Sequence, residues 1–180
     1  MSEANKKKKP NQVNLIVKES ITEALFSLME KERFSDITVS ELTEKAGVGR
    51  VSFYRNYDSK EDVILQYMLK ISTSYWTDHH KEDPSTLWKM TFELFVILKP
   101  TIILLRKSQI DTVIFYKFLK ECTLANKAED KKEGYYLAMY TGLAFGLYDQ
   151  WLHTGMHETS EELYAMFKEL VLPYKIKPLE

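Results

Sequence analysis

Thr38 to Lys60 reads T-V-S-E-L-T-E-K-A-G-V-G-R-V-S-F-Y-R-N-Y-D-S-K, and this stretch decides the fold. Thr38 followed three residues later by Glu41 forms a capping box, which predicts a helix beginning at about Val39. Leu42 and Ala46 supply the inward stripe of that helix. Gly47 ends it, because glycine takes a left-handed backbone at a helix C-terminus without steric cost. Val48 can plug the corner, and a second helix is predicted from Gly49 to about Asn56. Ser59, ahead of Lys60, Glu61 and Asp62, caps a third. Helix, glycine turn, helix is a helix-turn-helix pattern.

The second helix of the pair has the chemistry of a surface that reads DNA. Gly49, Arg50, Val51 and Ser52 make its first turn, the part of a recognition helix that meets base edges in the major groove. Arg50 offers a planar fork suited to guanine, Ser52 can donate or accept, and Val51 can pack on a thymine methyl. Phe53 and Tyr57 lie four apart and are expected to anchor the helix inward, leaving Tyr54 and Arg55 toward the duplex backbone. Lys60 stands at a helix N-terminus, where amide hydrogens and an ammonium together suit a phosphate. Between Lys45 and Lys60 the one carboxylate is Asp58, set against Lys45, Arg50, Arg55 and Lys60. That local positive bias stands out in a chain of formal net charge −1. A helical hairpin with a solvated basic face would share the charge, but not the coincidence of cap, glycine, second cap and slim first turn.

These residues resemble a known family. Residues 15–70 are similar to the N-terminal DNA-binding domain of the tetracycline-repressor (TetR) family, most closely along A-G-V-G-R-V-S-F-Y-R-N-Y-D-S-K-E-D-V-I. The resemblance implies base contacts from Arg50, Val51 and Ser52, and phosphate contacts from Tyr54, Lys60, Thr38 and Ser40. In one departure, Arg33 stands near the place where the family usually ends its first helix on glycine.

Length and composition fit a small helical protein. The 180 residues suffice for one domain or two small ones, and 44% hydrophobic with 28% charged residues is ordinary for a globular chain. No apolar run approaches the roughly 20 residues that span a bilayer, and no apolar segment follows the charged N-terminus as a secretory signal requires. A lone Cys122 cannot form an internal disulfide, so the expected location is the cytoplasm, with no membrane partner.

Along the chain, residues 1–12 form a basic arm with Lys6 to Lys9, able to reach phosphates or a minor groove. Residues 13–58 make the helix-turn-helix domain, its first helix expected over Asn14–Glu32. Residues 59–180 make a helical regulatory and dimerisation domain. The helix after Ser59 runs toward Trp76 and is expected to act as a lever from one domain into the other. His79 to Ser85 reads as a linker. Leu87–Leu98 is expected to end near Pro100, with a separate helix over Thr101–Lys107, because the residue before proline resists helical geometry. Further helices are expected over Thr112–Ala125, Glu133–His153 (ended by Gly155) and from Ser160 and Glu162 to Leu172, stopped by Pro173. Nothing reads as a strand, so the fold class is all-α.

The Tyr135–Leu152 segment is apolar nearly all round, so both its faces require cover. A second subunit is expected to cover one of them through Tyr136, Leu143, Leu147 and Trp151, with Gly142 and Gly146 allowing close approach. Leu163, Phe167 and Leu170 of the last helix complete a four-helix bundle about a two-fold axis. The run G-Y-Y-L-A-M-Y-T-G-L-A-F-G-L-Y-D-Q-W-L-H-T-G-M-H-E-T-S-E-E-L is similar to the C-terminal regulatory domain of TetR-like proteins from low-GC Gram-positive bacteria, which implies dimerisation and often a small-molecule pocket. Candidate pocket residues are Trp76, Trp88, Phe92 and Phe95, joined by Leu104, Phe115, Phe118 and Tyr140. Gln109, Tyr116 and Asn126 are candidate polar handles.

Nothing in the chain points to catalysis, a metal or a cofactor. His153 and His157 have a metal-ligand spacing, but Gly155 interrupts the helix between them and no third ligand is in register. There is no phosphate loop, no nucleophile elbow and no pair of carboxylates in an apolar setting that would raise a pKa. The expected function is a homodimeric regulator, a repressor that leaves a palindromic operator on duplex DNA when a largely apolar small molecule binds. The rival is an effector-independent architectural or partner-recruiting factor, whose second domain would hold a collapsed core instead of a cavity.

Overall fold

The computed structural model describes residues 12–79, 87–124 and 130–170. The Lys6–Lys9 arm, most of the His79–Ser85 linker, Asn126 and the stop at Pro173 lie outside them. The described residues hold eight helices and no strand, so the protein is all-α. Two compact units divide after Ile64.

In the first unit, α1 (Gln12–Met29) buries Ile21, Ala24, Leu25, Leu28 and Met29 on one stripe. It packs on α2 (Val39–Lys45) and α3 (Arg50–Asn56), and Phe34 and Ile37 close the core between α1 and α2. The caps work as their residue types dictate. Thr38 Oγ1 accepts from the Glu41 amide at 3.1 Å, and Gly47 takes φ +65° as α2 ends. Gly49 is the N-cap of α3 with an extended backbone. Ser59 and Asp62 cap the start of α4 (Lys60–His79) reciprocally: Ser59 Oγ accepts from the Asp62 amide at 3.2 Å, and Asp62 Oδ2 accepts from the Asp58 amide at 3.1 Å.

The second unit contains the rest of α4 with α5 (Leu87–Lys107), α6 (Asp111–Leu124), α7 (Lys131–His153) and α8 (Ser160–Leu170). α5 packs on α6 and α8, and α6 packs on α7. Asp130 caps α7, accepting from the Glu133 amide at 2.8 Å, and Gly155 follows it with φ +89°. Thr159, rather than Ser160, forms the capping box of α8 with Glu162.

The expected break at Pro100 does not occur: α5 continues through it. Leu94, Leu98, Thr101 and Leu105 are all buried along one continuous helical face, and a break would throw the second half of that face out of register. Packing therefore overrides the local penalty. Pro100 and Val96, whose carbonyl loses its amide donor, both lie on the exposed side.

An aromatic core fills this unit. Phe95 meets Phe115 and Trp151 at ring separations of 5.5 and 6.3 Å, and Tyr148 stacks on Phe115 at 3.5 Å. Phe92, Phe95, Phe115 and Phe118 are buried and are not among the described lining of either cavity beside Tyr140. Trp151, Leu163 and Phe167 are buried within the chain itself; Phe167, for example, stacks on Trp88 at 4.5 Å.

The Tyr148 hydroxyl is buried without a hydrogen-bond partner among the described residues. An unsatisfied buried donor costs free energy, so Tyr148→Phe is expected to raise stability by about 1 kcal/mol in denaturant titration. Burial also pushes this phenol's ionisation up from its ordinary 10.0, with Asp111 adding to the effect. The folded state thus favours the neutral form, and its contribution to stability, complete below pH 10, is lost as pH rises beyond that. The phenylalanine variant is expected to lack this part of the alkaline loss.

Candidate nucleic-acid interface and ligand cavity

α3 is held from beneath and bare on top. Phe53 and Tyr57 are buried, 5.9 Å apart between ring centres, and the Tyr57 hydroxyl reaches the Lys18 carbonyl of α1 at 3.5 Å. On the other side Val51 is 72% exposed and Tyr54 55% exposed. Arg50 and Arg55 are exposed, and no described residue engages either guanidinium. Ser52 is half-buried, and its carbonyl accepts from Asn56 Nδ2 at 2.8 Å. Thr38 and Ser40 at the start of α2 are exposed as well. An arginine fork, an apolar tip and a hydroxyl are therefore presented together on one turn whose N-cap, Gly49, adds no side chain.

Lys60 is placed differently from its neighbours. Its Nζ donates to the Phe34 carbonyl at 2.6 Å and to the Ile37 carbonyl, and it lies 4.5 Å from the centre of the Phe34 ring. Burial lowers its pKa, partly offset by Glu61 and Asp36. Two of its three hydrogens thus tie the first turn of α4 to the loop before α2, which keeps that turn within the first unit. Lys60→Met is expected to cost about 1–2 kcal/mol in thermal unfolding, because two carbonyls lose their donor. If that variant were as stable as wild type while its salt dependence of DNA binding fell, Lys60 would act on phosphate alone.

Residues 21–67, all but the last three of them in the first unit, match the model of the bacterial regulatory proteins of the tetR family. The N-terminal unit is a TetR-family helix-turn-helix domain. Over 78 residues the chain is 31% identical to YxbF of Bacillus subtilis (strain 168), an uncharacterized HTH-type transcriptional regulator. That match covers 43% of this chain and 20% of YxbF, so the chain spans about a fifth of this curated relative's length. Beyond the TetR-family domain, the crystal structure of Lin0861 from Listeria innocua shares the fold over 92% of this chain and 94% of its own, with a TM-score of 0.73 at 13% identity. FadR of Bacillus subtilis, solved in complex with stearoyl-CoA, is looser: its TM-score is 0.49 at 15% identity, over 90% of this chain and 99% of that one. A likeness that loose says nothing of what this chain binds.

Two cavities stand out among the described residues of the second unit. The larger, of about 600 Å³, lies between α4, α5, α6 and α7. Trp76 and Tyr140 line it as the sequence suggests, together with Leu69, Leu87, Tyr136 and Leu137. Its polar wall escaped the sequence reading: Ser72, Thr73 and Thr77 from α4, and Glu121, Cys122 and Thr123 from α6. Helical spacing groups Leu69, Thr73, Trp76 and Thr77 on one stripe, yet three small hydroxyl residues on an otherwise polar helix look like a solvated face. Cys122 is half-buried with Ser72 Oγ 3.6 Å from its Sγ, and burial pushes the thiol up to about 11. The smaller cavity, of about 330 Å³, is lined by Trp88, Tyr136, Met139, Tyr140, Gly142 and Leu143. Leu104 and the proposed handles Gln109 and Tyr116 line neither; Gln109 instead takes φ 58° in the turn after α5.

On α7, Tyr135, Met139, Gly142 and Gly146 are exposed, and Leu143 and Leu147 half-buried. Leu170 of α8 is 64% exposed. A Cβ built on Gly142 or Gly146 would meet nothing within 4 Å. Among the described residues no group of three or more His, Cys, Asp or Glu could hold a metal, and no helix is long and apolar enough to cross a membrane.

Proposed function

We propose that the protein is a transcriptional regulator that binds duplex DNA as a homodimer and leaves it when a small molecule occupies the second unit. The observation that carries the DNA-binding part is the unengaged Arg50, beside exposed Val51, on a helix anchored from below by Phe53 and Tyr57. In a major groove this turn reads base edges, with Ser52 at its side, while Tyr54, Arg55, Thr38 and Ser40 meet phosphates. One such helix sees only a few base pairs, so a symmetric pair is the economical reader and its operator is palindromic. The exposed apolar face of α7, with Tyr136, Leu143 and Leu147 beside bare Gly142 and Gly146 and with Leu170 nearby in sequence on α8, is the surface offered for that pairing.

The 600 Å³ cavity favours the effector-responsive reading over an architectural factor, for which a collapsed core was expected. A ligand there presses on Thr73, Trp76 and Thr77 of α4, the helix whose first turn carries Lys60. Occupancy thereby biases the two states that α4 can adopt. Selection of bound sequences from random duplex DNA tests the reading. A palindromic consensus is expected, and enrichment of no sequence would overturn it.

A further inference from the structure

The larger cavity has a one-sided set of charges. Among the described residues its wall combines aliphatic and aromatic groups, neutral hydroxyls and a thiol with a single carboxylate, Glu121. No lysine, arginine or histidine stands among the described residues that line it. The adjoining smaller cavity, which shares the Tyr136 and Tyr140 rings, has no charged group in its described lining.

An anion entering such a space sheds its hydration and meets no counter-charge, which is costly in an apolar wall. A neutral molecule can at most donate a hydrogen bond to the carboxylate and gains no ion pair. An organic cation gains an ion pair and also the attraction of aromatic rings for positive charge, which strengthens as water leaves. We propose that the larger cavity takes a drug-sized organic cation, with Glu121 as its counter-ion and the Trp76, Tyr136 and Tyr140 rings around its apolar body. The assignment rests on reading the second unit as the effector-binding part of the protein. Glu121 is exposed, so its carboxylate stays in water until the ligand covers it, and its desolvation is confined to the bound state.

Three probes of one shape separate the possibilities: tetraphenylphosphonium, tetraphenylborate and neutral triphenylmethanol, titrated calorimetrically into the full chain. The phosphonium is expected to bind at least about tenfold more tightly than the borate, and Glu121→Gln to weaken the phosphonium about tenfold or more. Triphenylmethanol should bind wild type and Glu121→Gln alike, showing that the variant keeps its cavity. Equal affinity for phosphonium and borate, or an unchanged phosphonium affinity in Glu121→Gln, would overturn the cation assignment and leave the effector reading standing. Failure of all three probes, with a protein that still shifts DNA, would overturn both.

Discussion

Gly146→Glu is expected to turn the protein into a folded monomer and to lower its affinity for the selected operator by two orders of magnitude or more. Gly146 lies exposed on α7, and a Cβ added there meets no described atom within 4 Å. Within the chain the change should even be mildly favourable, since glycine in a helix interior costs roughly 0.5–1 kcal/mol relative to alanine. In the proposed dimer this position would face the partner's α7, so the substitution would set carboxylates into the helix crossing. Separated heads lose the linkage that makes the second half-site contact intramolecular, a factor of about 10²–10⁴. Sedimentation equilibrium and a gel shift measure both effects. A dimer with wild-type affinity would remove this face of α7 from the interface, and Gly146→Ala, expected to remain dimeric, separates bulk and charge from loss of glycine.

Arg50→Ala is expected to weaken binding to the preferred operator by about 1–3 kcal/mol per head and to flatten base preference at one position of each half-site. No described residue engages its guanidinium, so thermal stability should not change. That combination distinguishes base reading from a structural role. Because the protein is proposed to carry two copies, the loss per dimer is expected to be about twice the loss per head when the half-sites are independent. Equal binding of wild type and variant to every operator permutation would show that another group reads the bases.

The features legible in the sequence are those written in short-range hydrogen bonds. Thr38 with Glu41, Gly47, and Ser59 with Asp62 each settle a helix end through atoms within four residues, so residue type alone locates them. The two buried anchors of α3 follow from a spacing of four. Pro100 shows where such local rules give way: its penalty is real, but buried side chains on both sides outweigh it. Choosing among apolar residues was harder. Trp151, Phe167 and Tyr136 have the same apolar signature, and only three-dimensional packing makes the first two core and leaves Tyr136 half-buried on a cavity wall. The polar half of the cavity was hidden for the opposite reason, since Ser72, Thr73 and Thr77 resemble residues that face water. Lys60 could be placed at a helix start, but its grip on the Phe34 and Ile37 carbonyls spans more than 20 residues of chain, beyond the reach of any spacing rule.

Pro100 gives α5 a property that the other helices' regular ladders do not supply. A helix normally resists flexure through its unbroken row of amide-to-carbonyl links, and at this turn one link is absent on the watery side. Its continuity there is maintained by the grip of Leu94, Leu98, Thr101 and Leu105 on what lies beneath. Whatever rearranges that bed, whether a swapped side chain or a neighbouring helix that shifts, meets little backbone opposition in bowing the rod at its middle.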